Sequence, residues 1–308
     1  DSAANGATVR LTGDATLTAA YTVTKDVTID LNGYKLIADI DTVFNVNKSV
    51  DFSIIGQGEI VVGGMLVKST DTAVSPNVTI KGTYAPIKIT HTAAQRPILI
   101  YSVGGDFSFT NLDITAVCNA ESESIFKATN SASTVTYNLT AVDLKVTGAT
   151  GTGSKLASVV RITGNAHVNV ISSRIETDGM ALNVGGCKST DDTVFIKDSY
   201  IKSENSTLEI SAIGMYSSIE GAIRIEDSVI ESSYRIFCLN CEAQTPNATV
   251  DENGVISTTS AARVLCYDST IIHSCIKTSL ISRAVPTFLY GSSKILYRNP
   301  LVNIPAMV

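Results

Sequence analysis

Apolar and polar positions alternate in short runs along the whole chain. In one such run Val194 and Ile196 occupy every second position, as in a strand that buries one face. Asp198 and Ser199 follow as a turn signal, and Ile201 then resumes the apolar side. The pattern predicts a strand, a sharp bend and a second strand.

The same pattern is repeated along the chain. Close copies occupy residues 223–230 and 264–271, and looser copies occupy residues 107–114, 137–144, 168–175 and 288–295. Aligned on their second apolar residue, the seven copies share a mostly apolar or aromatic anchor: Phe109, Leu139, Val170, Ile196, Ile225, Cys266 and Tyr290. Five positions later every copy has Ile or Leu: Ile114, Leu144, Ile175, Ile201, Ile230, Ile271 and Ile295.

Between these two columns lies a column of short polar residues. Six of its seven members are Asn, Asp or Ser: Asn111, Ala141, Ser172, Asp198, Asp227, Asp268 and Ser292. Their side chains can bond to the local backbone and hold a bend. The column therefore predicts that each copy turns a corner at the same place.

Three earlier copies have a longer bend: Ile29 is followed by Leu36, Ile54 by Ile60, and Ile80 by Ile87. With these copies included, the anchors recur at intervals of 24–41 residues. Repeats at such intervals are the sequence signature of a solenoid.

Each period also contains a third β-like run. These runs are residues 43–46, 65–67, 98–103, 159–162, 181–184, 213–216 and 235–239. No period contains an amphipathic helical window or a six-residue apolar repeat, so helical repeats and left-handed hexapeptide coils are disfavoured. The sequence predicts an all-β parallel β-helix of about ten coils, which at strand spacing makes a rod about 45–50 Å long.

The segments 6–11 and 27–36 are similar to the first coils of many bacterial surface β-helix proteins. With the repeats, they make the chain resemble the right-handed parallel β-helix, or pectin lyase-like, superfamily over nearly its whole length. The resemblance implies a right-handed, single-stranded solenoid and a secreted or cell-surface protein. It is specific for the fold only, because the superfamily includes lyases, hydrolases, adhesins and phage tailspikes.

The repeats predict one β-helix domain over residues 1–308. Residues 1–26 are interpreted as an N-terminal cap with a first partial coil. Residues 242–262 interrupt the period, and their Asn253-Gly254 pair between two β-like runs predicts an inserted hairpin. Residues 296–308 contain two prolines and are interpreted as an extended C-terminal cover.

Composition limits the classes of partner. The net charge is −6 and no basic run is present, which argues against nucleic acid as a partner. No apolar run reaches 18 residues, so no membrane span is expected. The chain has six cysteines. Cys266 is expected to be a core thiol, and a disulfide between Cys238 and Cys275 in successive coils is a hypothesis.

The resemblance implies particular catalytic groups. Lyases of this fold use carboxylates to hold calcium and an Arg or Lys as base, and hydrolases use paired Asp residues, often with a Gly-His-Gly segment. This chain has no Gly-His-Gly, and His91, His167 and His273 stand alone. No metal site or cofactor is expected, apart from calcium if the chain is a lyase.

One candidate catalytic constellation remains. Asp178 and Glu209 each precede equivalent strands by four residues, so their carboxylates are expected to stack, and Arg161 lies one coil earlier. Two carboxylates about 5 Å apart suit retaining glycosidase chemistry or a shared calcium ion, whereas solvated loop acids are the plainer interpretation. Asn183 and Tyr216 are candidate ligand-binding residues that face outward on the same sheet.

Aromatic platforms for sugars are scarce in the sequence. Trp is absent, and several aromatic residues are assigned to the core: Phe107, Phe109, Tyr137, Phe288 and Tyr290. The function expected is therefore adhesion or glycan binding at a cell surface, without strong catalytic machinery and with a polysaccharide as partner. The alternatives are a polysaccharide lyase or glycoside hydrolase, and a phage or viral tailspike module. Whether the chain is a monomer or a trimer stays open.

Overall fold

The computed structural model describes residues 3–152, 155–185, 192–205, 211–216, 222–233, 235–240, 248–250, 256–258, 263–273 and 287–297. Strands joined by turns, bends and short connections make up these residues, and none of them is α-helical. No helix in the described part of the chain is long and apolar enough to span a membrane.

The strands follow one another at short intervals. The first are β1 (Ala7–Arg10), β2 (Ala15–Thr16), β3 (Tyr21–Thr22), β4 (Val27–Asp30), β5 (Lys35–Ala38), β6 (Thr42–Asn45), β7 (Asp51–Val62) and β8 (Met65–Lys68). Longer strands follow: β9 (Asn77–His91), β10 (Ile100–Ser102), β11 (Gly105–Val117), β12 (Ser124–Thr147) and β13 (Ser158–Ile171). Next are β14 (Arg174–Thr177), β15 (Met180–Gly185), β16 (Asp192–Lys197), β17 (Tyr200–Ser203), β18 (Ser211–Tyr216), β19 (Ala222–Glu226), β20 (Val229–Ser232) and β21 (Arg235–Asn240). The last are β22 (Ala248–Val250), β23 (Ile256–Thr258), β24 (Arg263–Tyr267), β25 (Thr270–His273), β26 (Thr287–Tyr290) and β27 (Lys294–Tyr297).

Each strand pairs in parallel with strands one period away, and the pairings form three ladders. The first ladder holds the segments before the bend, from β1 and β4 through parts of β7, β9, β11, β12 and β13 to β16, β19, β24 and β26. The second ladder holds the segments after the bend, from β2 and β5 to β25 and β27. The third ladder runs from β3 and β6 through β8 and β10 to β15, β18 and β21. This all-β, parallel arrangement is consistent with a β-solenoid.

Among the described strands, β22 and β23 are the antiparallel exception. Ala248–Val250 pairs with Ile256–Thr258 as a separate two-stranded sheet inside the predicted insertion. The Asn253-Gly254 turn, Cys275 and residues 298–308 lie outside the described residues, as does the side chain of Cys238.

The anchor residues aligned in the sequence pair with one another in the first ladder. Phe109 pairs with Leu139, and the series continues through Val170, Ile196 and Ile225 to Cys266. All six side chains are buried, and Cys266 is a core thiol as predicted. The seven β-like runs between the copies likewise contain strands of the third ladder.

Two assignments in the alignment were wrong. Leu289, not Tyr290, pairs with Cys266, because the last bend contains an additional residue, Gly291, at φ +63°. Tyr290 pairs instead with Tyr267 and is 44% exposed, so it is not a core residue.

The second error lies in an early bend. The alignment predicts that Ile87 is the equivalent of Ile60. In the structure Ile60 pairs with Ile89, and Ile87 pairs with Gly58 and Leu112. The bend after Ile80 is longer than the alignment allowed.

The polar column does hold the bend. Its members Asn111, Ala141, Ser172, Asp198, Asp227 and Asp268 have left-handed backbone conformations, with φ between 46° and 55°. Asn and Asp tolerate this region better than most residues with a Cβ. Each corner of the later periods therefore bends through one left-handed residue.

A ladder of serines follows these left-handed residues. Ser173 donates its backbone N–H to Ser199 Oγ (3.1 Å), Ser199 to Ser228 Oγ (3.0 Å), Ser228 to Ser269 Oγ (3.2 Å) and Ser269 to Ser293 Oγ (3.2 Å). The hydroxyls in turn donate to nearby carbonyls, such as Ser199 Oγ to Lys197 O at 2.6 Å. The ladder satisfies backbone groups that the corner removes from the strand pairing.

The interior is apolar, and several buried aromatic rings pack against one another in it. Phe109 and Phe126 meet edge to face with their centroids 4.9 Å apart, and Phe107 meets Tyr137 at 5.6 Å. Tyr137 keeps its hydroxyl paired with Ser102 Oγ at 2.7 Å. Burial raises the pKa of Tyr137 far above its ordinary value. The core assignments of Phe107, Phe109 and Tyr137 are confirmed.

Candidate functional site

Asp178 occupies the corner between β14 and β15 and supports the backbone there. Its carboxylate accepts hydrogen bonds from the backbone N–H groups of Gly148 (2.8 Å) and Ala149 (3.1 Å), one period earlier. Its own carbonyl accepts from Asn205 Nδ2 at 2.9 Å. Both carboxylate oxygens thus have a structural task at this corner.

The predicted partner of Asp178, Glu209, lies outside the described residues. The ladder instead brings Glu204 beside Asp178, because Thr177 pairs with Ser203 and the next residues follow in register. Asp178 and Glu204 border one open groove of about 270 Å³, which mixes acidic and basic side chains. The groove is also lined by Lys145, Val146, Thr147, Glu176, Thr177 and Lys202.

Arg161 and Asn183 are neighbours in the third ladder. Arg161 pairs with Asn183, which pairs with Gly214 in the next period. Asn183 alternates with the core residues Leu182 and Val184, so it lies on the outer side of the strand, yet it is only 3% exposed. Tyr216 pairs with Asn240, and its side chain lies outside the described part. Asp178 lies at the corner before β15, five positions before Asn183, which pairs with Arg161.

A continuous row of small polar side chains lies on the outer face of the first ladder. This polar row consists of Thr28, Ser53, Thr79, Ser108, Asn138 and Asn169, each paired with the next. Asn169 Nδ2 donates to Asn138 Oδ1 at 2.8 Å, and Asn138 Nδ2 donates to Ser108 Oγ at 3.4 Å. The row therefore presents amides and hydroxyls at intervals of roughly 4.8 Å along the ladder.

The polar row continues through Phe195 and Arg224, which form an aromatic cluster with Tyr267 and Tyr290 of the neighbouring outward row. Asn169 pairs with Phe195, and Phe195 pairs with Arg224. The guanidinium of Arg224 lies 5.8 Å from the centroid of the Phe195 ring and 5.2 Å from that of Tyr267. The rings of Tyr267 and Tyr290 are stacked, with centroids 4.7 Å apart and planes at 11°.

Ion pairs hold the cluster in place. Glu226 accepts a hydrogen bond from Arg224 Nε at 2.6 Å and lies 3.4 Å from Lys197 Nζ. The Glu226 side chain is only 14% exposed, whereas those of Arg224 and Lys197 are 42% and 41% exposed. Arg224 is thus fixed by a carboxylate and two rings but still reaches solvent, as a preorganised recognition group does.

The sequence contained a signal for this cluster. Phe195 immediately precedes the anchor Ile196, and Tyr267 immediately follows the anchor Cys266. Strand alternation places residues next to an inward anchor on the outer face. The alignment placed Tyr290 among the inward anchors, so Tyr290 was not predicted to be the third aromatic residue of this cluster.

Tyr200 lies beyond the bend, on the second ladder, and its hydroxyl is held by a hydrogen bond. Tyr200 donates its hydroxyl to Glu231 Oε2 at 2.8 Å, and the guanidinium of Arg174 lies 4.6 Å from its ring centroid. Desolvation, together with the hydrogen bond to Glu231 and its charge, raises the pKa of Tyr200 to about 12. Arg174 and Tyr200 line an open groove of about 660 Å³ along the bend.

Within the part of the chain that the structure describes, no three His, Cys, Asp or Glu side chains are grouped so that they could hold a metal ion. His91 is buried, and its Nε2 lies 2.9 Å from Arg96 O. Burial lowers the pKa of His91, which suits a neutral core imidazole.

Comparison with known proteins leaves the family undecided. No protein-family model, no curated protein and no solved structure matches the chain. The function is therefore inferred from the geometry of the described residues.

Proposed function

We propose that the chain is an exported, right-handed parallel β-helix of about ten coils, and that it binds a polysaccharide along the outer face of the first ladder. The polymer would run parallel to the direction in which the strands stack, along the polar row and over the aromatic cluster. In this proposal the protein is a binding or adhesion module of a cell surface, and the bound glycan leaves uncleaved.

The observation that carries the proposal is the continuity of the polar row with the aromatic cluster. Sugar hydroxyls are recognised by amides and hydroxyls, and the apolar faces of sugars by aromatic rings. Both kinds of group lie here on one face of the first ladder, since Phe195 and Arg224 continue the polar row and Tyr267 and Tyr290 lie in the neighbouring outward row. Each row repeats at roughly the strand spacing. A repeating ligand can match a repeating surface over many periods and so gain affinity from many weak contacts.

The Asp178 groove supports catalysis less well. A general acid or base needs a carboxylate that can reach the substrate proton. Both oxygens of Asp178 already accept backbone hydrogen bonds. The proposal therefore places binding on the first ladder and assigns Asp178 to the stability of a corner.

The first test is binding to a panel of pectic, algal, host and bacterial polysaccharides, with and without calcium. We expect at least one member to bind, without new reducing ends or unsaturated products. Replacement of Tyr267 by Ala should weaken that binding about tenfold, because it removes one aromatic surface and one face of the Arg224 contact.

The matched control is Tyr84→Ala. Tyr84 is 94% exposed at an early bend, away from the aromatic cluster, so its loss should leave binding unchanged. Absence of binding across the panel, or equal losses in the two variants, would contradict the proposal. Cleavage of a glycan would redirect attention to the groove beside Asp178 and Glu204.

A further inference from the structure

Among the described residues, the strands at the two ends of the first and second ladders pair with a neighbour on one side only. Within the described residues β1 pairs with β4, β2 pairs with β5, and at the other end β26 and β27 pair with β24 and β25. All of these pairings are parallel. The two ends therefore carry edges of the same direction, and one can continue the other.

Exposed apolar side chains are concentrated at these ends. Among the described residues five large apolar or aromatic side chains are exposed, and four lie in terminal strands: Val9, Leu289, Tyr290 and Leu296. Val9 and Leu289 are each 43% exposed, whereas the anchors between Ile54 and Cys266 in the same inward row are 0–1% exposed. Each lies at an end of the described part of that row.

The registers of the two ends are complementary in charge. Leu36 pairs with Ala15 at one end, and Ile271 pairs with Ile295 at the other, so these residues share one inward row. A further period added after Ile295 would place Ala15 of a second copy beside it. The preceding residues, Lys294 and Asp14, would then meet as an ion pair, and both are exposed.

The first ladder gives a matching result. Continuing the pairs of Val9 with Ile29 and of Cys266 with Leu289 by one step places Leu289 against Val9 of the second copy. The next position brings Tyr290 beside Arg10, a cation beside an aromatic ring. Apolar, aromatic and charged positions agree in a single register.

We infer that the C-terminal edge of one copy binds the N-terminal edge of another, so that the chain associates head to tail into coaxial rods. The contact is heterologous, and nothing in its geometry closes it into a ring, so assembly is open-ended. This inference does not depend on glycan binding.

The test is sedimentation velocity of the 308-residue chain over a wide range of concentrations, with negative-stain electron microscopy of the same samples. We expect a series of species that lengthens with concentration and rods of constant width. A monomer at every concentration would overturn the inference, because it would mean that the ends are covered by the chain itself.

Charge reversal locates the contact. Lys294→Asp should raise the concentration for half-association about tenfold, since Asp would then face Asp14. Adding Asp14→Lys to the same chain should restore association, because the pair is then present with its signs exchanged. The control Lys48→Asp, at an exposed corner, should leave association unchanged.

The variants must keep the far-ultraviolet circular dichroism of the parent. A closed dimer or trimer that Lys294→Asp does not weaken, or a double variant that associates no better than the single one, would overturn the head-to-tail contact.

Discussion

At the scale of single residues, the corners depend on a few short side chains. A left-handed residue such as Asp227 turns the chain, and the next residue, Ser228, bonds to the backbone of the neighbouring period. The preference for Asn, Asp and Ser could be read from the sequence because those residues favour bends. The hydrogen bonds between periods could not, because they depend on which serines stack.

Replacement of Ser199 by Ala tests the serine ladder. The hydroxyl accepts the N–H of Ser173, and both residues are 5% exposed, so the variant leaves a buried donor without its acceptor. We expect the free energy of unfolding, measured by denaturant titration, to fall by about 1–3 kcal/mol. Ser203 is the matched control: its hydroxyl is buried without a hydrogen-bond partner among the described residues, so Ser203→Ala should cost less than about 0.5 kcal/mol. Equal losses would contradict the role of the ladder.

Tyr200 predicts a pH dependence. Its pKa is raised from 10.0 to about 12 in the folded chain, so the folded state keeps a proton that the unfolded state loses. The stability linked to Tyr200 is therefore complete below pH 10 and is lost as the pH rises from about 10 to about 12.

The measurement is the free energy of unfolding across that range for the parent and for Tyr200→Phe. The variant should show a shallower alkaline decline, since it has no phenol to ionise. Tyr84→Phe, at a side chain that is 94% exposed, serves as control. An identical decline in the parent and Tyr200→Phe would show that the hydroxyl and Glu231 are not coupled.

At the scale of elements, alternation and period identified the anchor row and the runs of the third ladder. The two errors, at Ile87 and Tyr290, occurred where a bend changed length. The alternation of apolar and polar residues does not predict how long a bend is, and a shift of one residue exchanges the inward and outward faces of the strand. The start of β12, which pairs with β10 in the third ladder, was not among the predicted runs. Within β12 the register shifts between Asn130 and Val135, where the third-ladder segment gives way to the first-ladder segment.

The anchor row predicts the stability of the elements. Ile196 is fully buried between Val170 and Ile225 of the adjacent periods. Ile196→Ala should lower the free energy of unfolding by about 2–5 kcal/mol, because the rigid stack leaves a cavity. Denaturant titration would measure the loss against Lys48→Ala, an exposed change that is expected to be neutral within about 0.5 kcal/mol. A loss no larger than that of the control would mean that the row is not a packed core.

At the scale of the whole molecule, a parallel, all-β chain could be predicted from the sequence, whereas the surface that we propose for glycan binding could not. The sequence selected Asp178 as a candidate catalytic acid, whereas the structure gives its carboxylate to the backbone of Gly148 and Ala149. The aromatic cluster depends on which outer positions stack, and this requires the register of several periods at once. A ligand surface made by adjacent periods is therefore harder to predict than the strands themselves.

Glycan binding is tested most directly by a crystal structure of the chain with the oligosaccharide that binds it most tightly. We expect a sugar chain along the first ladder, with hydrogen bonds to Asn138 or Asn169 and an apolar face against Tyr267. A sugar in the groove between Asp178 and Glu204, with the first ladder bare, would contradict the proposal.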